Sequence, residues 1–303
     1  AEDAARGLHA LAAAAVEAAP DAGALLVEKN DGLGKKVIIS GGGRCNVTTG
    51  LRDVRAALAR YPRGGKFLTS AMHRFPPEAV YAWFEARGVP LKTEADGRVF
   101  PQSDNGQDIV AAFARLFART HVRVSLRTHI TDVQKTADSF LLRAKDGHAF
   151  AADRLILTTG GQAYRHTGST GDGYAFAQAL GHRLTPLAPS LNAFFTRERW
   201  PADLAGLALP WAALTANIPA KPSFSGPFLF THKGVTGPAV FALSSLVAFE
   251  PYDAARPLNV AIDALPERPL ESFRSELGQA FHDDGRKLLG NVLATFVPKA
   301  LAE

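Results

Sequence analysis

Three consecutive glycines, Gly41 to Gly43, constrain this chain more than any other feature of its sequence. A backbone without side chains can pass close to a bulky group and present its N–H groups to it. The basic residues Lys35, Lys36 and Arg44 flank the glycines. Exposed N–H groups beside basic side chains suit an anionic, phosphate-bearing partner, so the pattern favours a cofactor loop. A glycine-rich surface turn with solvated lysines is the alternative.

The segment before the glycines supports their interpretation as a cofactor-binding loop. An apolar run, Leu25 to Val27, ends in Glu28, as expected for a strand with an acid at its tip. In a Rossmann fold such an acid binds a ribose hydroxyl about 20 residues after a helix-opening glycine. The step from Gly7 to Glu28 is 21 residues. Glu28 is therefore a candidate ribose ligand, and a solvated acid at the end of a strand is the other interpretation.

The same residues carry a resemblance to a known family. The matching blocks are Glu28-Lys29-Asn30, Gly34-Lys35-Lys36, Ser40-Gly41-Gly42-Gly43-Arg44-Cys45-Asn46-Val47-Thr48, Thr158-Thr159-Gly160-Gly161, Thr167 to Gly173, and Phe230 to Pro238. In this order they resemble the signature of the BaiN/YhiN-type FAD-dependent oxidoreductases, over most of the chain. The resemblance implies FAD as cofactor and NAD(P)H as electron donor, with hydride transfer to a small organic acceptor.

The residue pattern and the resemblance together give a set of predicted cofactor-binding residues. They are Glu28, Lys29, Lys35, Lys36, Ser40, Gly41, Gly42, Gly43, Arg44, Cys45, Asn46, Ile130, Thr159, Gly160 and Gly161. The resemblance implies that backbone near Ile130 reaches the adenine and that Thr159-Gly160-Gly161 closes over the nucleotide. Structural roles stay open for Arg44, which could cap a turn, and for Asn46, a common turn residue.

Two reactive side chains, Cys45 and His232, each allow a functional and a structural interpretation. Cys45 stands beside an arginine and glycine N–H groups, which can activate a thiol, but a lone cysteine is more often an inert apolar group. His232 could donate a proton near a substrate or be structural. No catalytic residue is assigned. As the only cysteine, Cys45 rules out an intramolecular disulfide and a cysteine-based zinc site, and no H-E-x-x-H spacing predicts another metal site.

The composition of the chain limits which kinds of partner it is expected to bind. With 47% hydrophobic residues the chain is an ordinary globular one, and no apolar run reaches the roughly 18 to 20 residues of a membrane span. Acids at Glu2 and Asp3 stand where a secretory signal would be basic, so a cytoplasmic location without a membrane partner is expected. The net charge is +5, but the basic residues are dispersed among acids, which argues against nucleic acid as a partner.

The order of patterns predicts an α/β fold in three parts. Residues 1–186 would form a Rossmann-type FAD-binding domain of the two-dinucleotide-binding-fold flavoproteins. Residues 187–265 contain short apolar runs separated by Pro and Gly, which suits an inserted β-barrel-like domain. Residues 266–303 have helical periodicity and would begin a helical domain.

Within the first part, individual elements are predicted. The composition of Ala4 to Ala18 predicts a helix. Pro76-Pro77 and Gly88 would bound another. The remaining predictions are strands: Val122 to Leu126, Ile130 to Gln134 and Phe140 to Arg143 in one small antiparallel sheet, and Arg154 to Thr158 returning to the main sheet.

Compared with the family it resembles, the chain is expected to be truncated at both ends. Aligning Gly7 with the third glycine of G-x-G-x-x-G places Ala4 and Glu2 at the other glycine positions, and no strand precedes them. The resemblance also implies a C-terminal return to the FAD domain, which this chain is expected to lack. Two other classes therefore stay open: a non-catalytic remnant with weak or no FAD binding, and a basic nucleotide- or RNA-binding module that uses the same glycine loop.

Overall fold

The structure of this protein is a computed structural model that describes residues 23–283 and 287–303. These residues form two compact units, divided between Thr185 and Pro186. The helix predicted over Ala4 to Ala18 and the glycine position at Gly7 lie outside the described residues.

The first unit is a mixed α/β structure in its described part. Its strands are β1 (Ala24–Val27), β2 (Thr48–Thr49), β3 (Leu91–Thr93), β4 (Arg98–Pro101), β5 (Val122–Ser125), β6 (Ile130–Lys135), β7 (Phe140–Ala144) and β8 (Ala149–Ala152). Its helices are α1 (Lys35–Ile39), α2 (Val54–Leu58), α3 (Gly65–Arg74), α4 (Pro77–Glu85), α5 (Gly106–Phe117) and α6 (Asp172–Ala179). Short 3-10 turns cover Ser40–Gly43 and Arg165–Thr167. Helix α4 begins with a proline in its first turn, as predicted.

A parallel strand pair, β1 with β5, contributes Leu26 and Val122 to a core of this unit, with Leu26 opposite Val124. Helix α5 packs its apolar face into the same core as Leu26, because Ile109, Phe113 and Phe117 recur every four residues and are buried. Asn105 begins this helix by accepting a hydrogen bond from the Gln107 N–H at 3.0 Å. The packed helix fixes the position of β1 and therefore of the polar residues that follow it.

Two strand predictions in this unit are wrong in part. The strand at Val122 forms, but it pairs in parallel with β1, and the small antiparallel sheet has the order β6-β7-β8 instead. The return strand over Arg154 to Thr158 is not formed in the described structure, because no described strand offers it ladder hydrogen bonds. Its Leu155 and Leu157 instead pack against the core beside the antiparallel sheet.

The second unit combines one antiparallel sheet with helices. Its strands are β9 (Phe194–Phe195), β10 (Ala208–Ala216), β11 (Ser223–Thr231), β12 (Gly234–Thr236) and β13 (Val260–Asp263). Its helices are α7 (Trp200–Asp203), α8 (Pro238–Leu246), α9 (Leu270–Asp283), α10 (Leu289–Leu293) and α11 (Lys299–Ala302). The helical periodicity predicted after residue 266 is confirmed by α9 and α10.

The sheet of the second unit has the order β13-β10-β11-β12-β9. Helix α8 packs on it and buries Ala239, Val240 and Leu243 completely. The β-rich character predicted for this region is therefore confirmed. Closure into a barrel is not seen among the described strands, where β9 and β13 are the two edges of the sheet. Within residues 23–283 and 287–303, no helix has both the length and the hydrophobicity to cross a membrane.

Candidate functional site

A cavity of about 940 Å³ runs along strand β1 and past its carboxyl end. Its walls come from β1, the start of α1, the antiparallel sheet β6-β7-β8, and the segments 151–160 and 167–172. Ligand sites commonly have volumes of about 300 to 1,000 Å³. In open parallel α/β sheets they lie outside the carboxyl ends of the strands. Both the size and the position of this cavity therefore suit a ligand site.

The structure divides the predicted cofactor-binding residues into two groups. Those that line the cavity are Glu28, Lys29, Lys35, Lys36, Ile130, Thr159 and Gly160. Those that do not line it are Ser40, Gly41, Gly42, Gly43, Arg44, Cys45, Asn46 and Gly161. The glycine loop begins where helix α1 ends, and a helix of five residues is about 7.5 Å long. The loop is thus separated from the lysine end of the cavity by the length of α1.

Glu28 lies at the carboxyl end of β1 and is half-buried. Its Oε1 accepts hydrogen bonds from the N–H and from the side-chain amide of Asn30, both at 2.8 Å. The Glu28 carbonyl accepts from the Thr128 N–H at 3.0 Å, which ties this turn to the segment after β5. No described residue hydrogen-bonds Oε2. The carboxylate is therefore held in place by one oxygen and can accept a hydroxyl with the other.

Lys29 and Asp172 form an ion pair in the cavity wall, with 2.8 Å between Nζ and Oδ2. Lys29 Nζ also donates to Thr170 Oγ1 at 2.5 Å, and Thr170 Oγ1 donates to Asp172 Oδ1 at 2.7 Å. His129 Nε2 lies 3.7 Å from Asp172 Oδ2. Burial acts to raise the pKa of Asp172, but the hydrogen bonds from Lys29 and Thr170, together with the positive charge of Lys29, outweigh it and hold the pKa below its ordinary value.

The two adjacent lysines of α1 have different environments. Lys36 is buried at 7% exposure, and its Nζ donates to the Ala163 carbonyl at 2.8 Å. Burial lowers the pKa of Lys36, because the charged ammonium loses solvation. Lys35 lies nearer to solvent and pairs with Asp31 at 2.7 Å. Lys36 is therefore a cation that is incompletely compensated next to the cavity, and an anion there would stabilise its charged form.

The glycine loop is explained largely by its own backbone. Gly41, Gly42 and Gly43 have φ values of 58°, 72° and 91°, a left-handed conformation that other residues rarely adopt. A Cβ at Gly41 would lie 2.8 Å from the Phe100 ring and 2.9 Å from the Asn46 nitrogen. At Gly42 and Gly43 a Cβ would meet no atom within 4 Å. These glycines are required by the turn, and they leave open space on its outer side.

The polar residues after the glycines serve the fold. Arg44 Nη1 lies 2.6 Å from Glu94 Oε1, and the guanidinium lies over the Phe100 ring at 3.9 Å. The Glu94 hydrogen bond raises the pKa of Arg44. Asn46 Oδ1 accepts from the Val99 N–H at 3.2 Å. Cys45 is fully buried in the core around β1, where it is a small apolar group.

His232 lies in a two-residue turn of the second unit, between β11 and β12. Its side chain is exposed. The interpretation of His232 as a structural histidine packed among apolar neighbours is therefore wrong, because its side chain points from the turn into solvent. Its proposed role as proton donor stays a prediction.

The cavity is also lined by polar side chains outside the predicted set. Among them are Thr128, His129, Ser169 and Asp172. Ser169 and Asp172 belong to the block from Thr167 to Gly173 that carries the family resemblance, so a signal for them was present. Thr128 and His129 precede Ile130 without any motif of their own. Only pairing of β1 with β5 brings them beside Glu28 and Lys29.

The chain matches the family model described as HI0933-like protein Rossmann domain over residues 5–272. It is 29% identical over 266 residues to a 3-dehydro-bile acid delta(4,6)-reductase of Clostridium scindens, covering 87% of this chain and 63% of that protein. It is 30% identical over 282 residues to a ribosomal RNA dihydrouridine synthase of Escherichia coli, with coverages of 92% and 66%. A ribosomal RNA dihydrouridine synthase of Haemophilus influenzae is 27% identical over 278 residues, with coverages of 89% and 65%.

The chain thus spans 63 to 66% of the length of these curated relatives. Among solved structures, the match to the Diels-Alderase PyrE3 covers 71% of this chain and 38% of the PyrE3 chain, with 14% sequence identity. Its TM-score of 0.31 is too low to bear on the fold. The family match and the reductase relative confirm the predicted kinship with the BaiN/YhiN-type FAD-dependent oxidoreductases. The chain therefore belongs to the family of HI0933-like Rossmann-domain proteins.

Proposed function

We propose that this chain supplies the FAD-binding part of an oxidoreductase that reduces a carbon–carbon double bond conjugated with a carbonyl group. The observation that carries the proposal is the cavity at the end of β1, where Glu28 keeps Oε2 available and Lys36 holds a poorly solvated charge. A carboxylate suits a ribose hydroxyl, and an ammonium suits a phosphate. The donor set at this end of the cavity therefore fits the adenosine and phosphate portions of a dinucleotide.

Each polar residue of the cavity has its own proposed role in binding. Glu28 would accept the ribose hydroxyl, and Lys36 would neutralise a phosphate. The Lys29–Asp172 ion pair would hold the turn after β1 against the start of α6 and leave its own charges compensated. FAD, when bound, supplies the transfer of two electrons from NAD(P)H to the acceptor. The protein's part is to bind, orient and shield the reactants.

The glycine loop is proposed to meet the second half of the dinucleotide. Its outer side is open at Gly42 and Gly43, so a flat group could approach the backbone there. Helix α1 connects this loop directly to the lysines that face the cavity. One extended ligand could therefore contact both ends of α1.

The acceptor class follows from what the names of the relatives share. A 3-dehydro-bile acid delta(4,6)-reductase acts on double bonds conjugated with a 3-oxo group. A dihydrouridine synthase saturates the uracil double bond that is conjugated with a ring carbonyl. In a reaction of this type on the present chain, a hydride would add to the carbon remote from the carbonyl and a proton to the adjacent carbon, while NAD(P)H, the proposed donor, would become NAD(P)⁺. We assign this reaction type to the present chain, with a small enone as the first candidate acceptor.

Uridine in RNA is the second candidate acceptor. The observation that favours it is a strongly basic stretch, residues 51–75, in which six Lys and Arg residues stand against one acid. The prediction that basic residues are dispersed throughout the chain is wrong for this stretch. A polyanionic acceptor would be attracted to it.

Titration of the purified protein with FAD, and with FMN as comparison, tests the cofactor. FMN lacks the adenosine half, so a site built on Glu28 and Lys36 should bind FAD much more tightly than FMN. NADH or NADPH consumption is then followed with a 3-oxo-Δ4 steroid and with uridine-containing RNA, and the products are identified by the gain of two hydrogen atoms in mass. Equal affinity for FAD and FMN, or consumption of NAD(P)H that neither acceptor increases, would contradict the proposal.

A further inference from the structure

Residues 51–75, here called the basic helical segment, hold the charge imbalance of the whole chain. The segment contains six basic residues, Arg52, Arg55, Arg60, Arg63, Lys66 and Arg74, and one acid, Asp53, so its net charge is +5. The net charge of the entire chain is also +5. The rest of the chain is therefore neutral overall, and the excess positive charge lies in this segment.

The only acid of the segment is engaged locally. Asp53 is the N-cap of α2 and accepts a hydrogen bond from the Ala56 N–H at 2.7 Å. Arg52 pairs with Glu78 at the surface, at 3.1 Å. Arg55, Arg60, Lys66 and Arg74 are exposed and form no ion pair with any described residue. Four cations on this surface are therefore available to an external anion.

The segment is an ordered surface whose second helix, α3, has no fully buried residue. Ala57 anchors α2 in the interior at 3% exposure. Gly65 brings the start of α3 close to α2, since a Cβ there would lie 3.2 Å from the Leu58 carbonyl oxygen. Helix α3 itself has no buried residue. A helix fixed by its neighbour but unburied presents its side chains at defined positions.

Aromatic rings stand among these cations. Phe67 is 87% exposed and Phe75 is 51% exposed. Phe67 and Arg74 are seven residues apart on α3, so they lie on the same face, about 10.5 Å apart along the helix axis. Exposed phenylalanines are costly in water, whereas each one offers a flat surface on which a nucleobase can stack.

We propose that the basic helical segment binds single-stranded RNA, with phosphates at Arg55, Arg60, Lys66 and Arg74 and a base stacked on Phe67. This inference rests on the proposed function in its RNA form, and it assigns the surface that would bring a uridine-containing strand to the protein. Cations interleaved with exposed aromatic rings are the usual composition of a single-strand binding surface. A lipid surface fits less well, because Leu68 and Met72 on the apolar face of α3 are half-buried, and the exposed phenylalanines Phe67 and Phe75 alone give a narrow apolar surface.

Charge reversal tests the phosphate contacts. The full chain and its Arg60→Glu/Lys66→Glu variant are titrated against a labelled oligouridine of about 12 nucleotides by fluorescence anisotropy, at several salt concentrations. We expect binding to weaken about tenfold or more at low salt, and the slope of log affinity against log salt to become shallower by about 1.4, since each lost contact contributes about 0.7. The matched control, Arg119→Glu/Lys135→Glu, changes the net charge equally at exposed positions outside the segment and should leave both values near those of the parent.

Substitution of the ring tests the stacking contact. Phe67→Ala should weaken oligouridine binding by about 5- to 100-fold without changing the salt slope, and Phe67→Trp should restore binding. Phe195→Ala removes an equally exposed ring, at 83% exposure, from the second unit and should have no effect. Because Phe67 packs against little, the melting temperature of Phe67→Ala should match that of the parent.

The outcomes that overturn this inference are distinct from failure of the proposed function. Parent protein that fails to bind oligouridine, or binding that is equally sensitive to the control pairs, rules out this surface as an RNA site. Binding to vesicles of phosphatidylserine and phosphatidylcholine, with loss on Phe67→Ala and no oligouridine binding, assigns the surface to lipid instead. FAD affinity and reduction of a free enone should be unchanged in all these variants, so a defect in either one bears on the proposed function alone.

Discussion

The ammonium group of Lys29 lies 2.8 Å from Oδ2 of Asp172, 143 residues further along the chain. Thr170 bonds to both partners, so the three side chains form a closed set of hydrogen bonds. The set connects the turn after β1 to the first turn of α6, and both turns line the cavity. The contact therefore ties together two segments that line the same cavity as Glu28.

Removing the Lys29 ammonium should destabilise the protein measurably. Lys29→Met leaves the half-buried Asp172 carboxylate without its cation, and a hydrogen bond to a charged group contributes about 1.5 to 3 kcal/mol. We expect the free energy of unfolding in urea to fall by that amount. Lys35→Met is the control, because the Lys35–Asp31 pair is open to solvent and exposed pairs contribute little. An equal decrease in the free energy of unfolding in both variants would show that the Lys29–Asp172 pair stabilises the protein no more than an exposed ion pair does.

The same ion pair predicts a dependence of stability on pH. The pKa of Asp172 is lower in the folded protein than its ordinary value of 3.8. A depressed carboxyl pKa stabilises the fold fully above the unfolded pKa, and the stabilisation is lost as pH falls through the folded pKa. The parent should therefore exceed Asp172→Asn in stability at neutral pH, and the difference should shrink below about pH 4. Urea unfolding of both proteins from neutral to acidic pH measures it, and a difference that widens in acid would contradict the assignment.

Glu28→Gln should weaken FAD binding. A hydrogen bond from the ribose hydroxyl contributes about 1.5 to 3 kcal/mol to a carboxylate and about 0.5 to 1.5 kcal/mol to an amide oxygen, so the loss of about 1 kcal/mol should raise the Kd about fivefold. Fluorescence titration with FAD measures the change. Glu85→Gln removes an exposed acid at the end of α4, outside the cavity, and should bind FAD as the parent does. An unchanged Kd for Glu28→Gln would make Glu28 a solvated acid at the end of a strand.

Gly42→Val tests whether the glycine loop contacts the cofactor. Gly42 and Gly88 have matching φ values of 72° and 74°, and a Cβ at either would meet no atom within 4 Å. Valine in this left-handed conformation costs about 1 to 2 kcal/mol at each position, so both variants should lose similar stability by thermal melting. Only Gly42→Val should lose bound FAD. If both variants retain FAD, the loop is a glycine-rich surface turn that does not contact the cofactor.

Local patterns predicted several elements because each has a local cause. Pro77 begins α4, and an apolar run forms the strand before Glu28. Partner choice was not predictable in the same way. Val122 to Ser125 alternates like an antiparallel strand, but its partner β1 is about 100 residues away, and no local signal encodes that pairing.

The candidate site shows the same limit. Glu28 was identifiable because it follows an apolar strand, and Lys36 because it precedes the glycines. Arg44 had the same sequence context as Lys36, but Glu94 lies 50 residues further along the chain and binds it in the fold. Asp172 reaches Lys29 only through tertiary structure. A sequence therefore shows which groups are available, while their assignment to ligand or to fold depends on long-range contacts.

Lys36 predicts that FAD binding is linked to proton uptake. Burial depresses the pKa of Lys36 below 10.5 in the ligand-free protein, and a phosphate in the cavity would stabilise the ammonium and raise that pKa again. The bound state then holds more protons, so FAD affinity should fall as pH rises from neutral towards 10.5. Lys36→Met should bind more weakly and lose this part of the pH dependence, whereas Lys35→Met should keep it. Titrations of FAD at several pH values measure all three proteins, and the flavin's own ionisation cancels in the comparison. A Lys36→Met variant with the parent's full pH dependence would place the phosphate elsewhere.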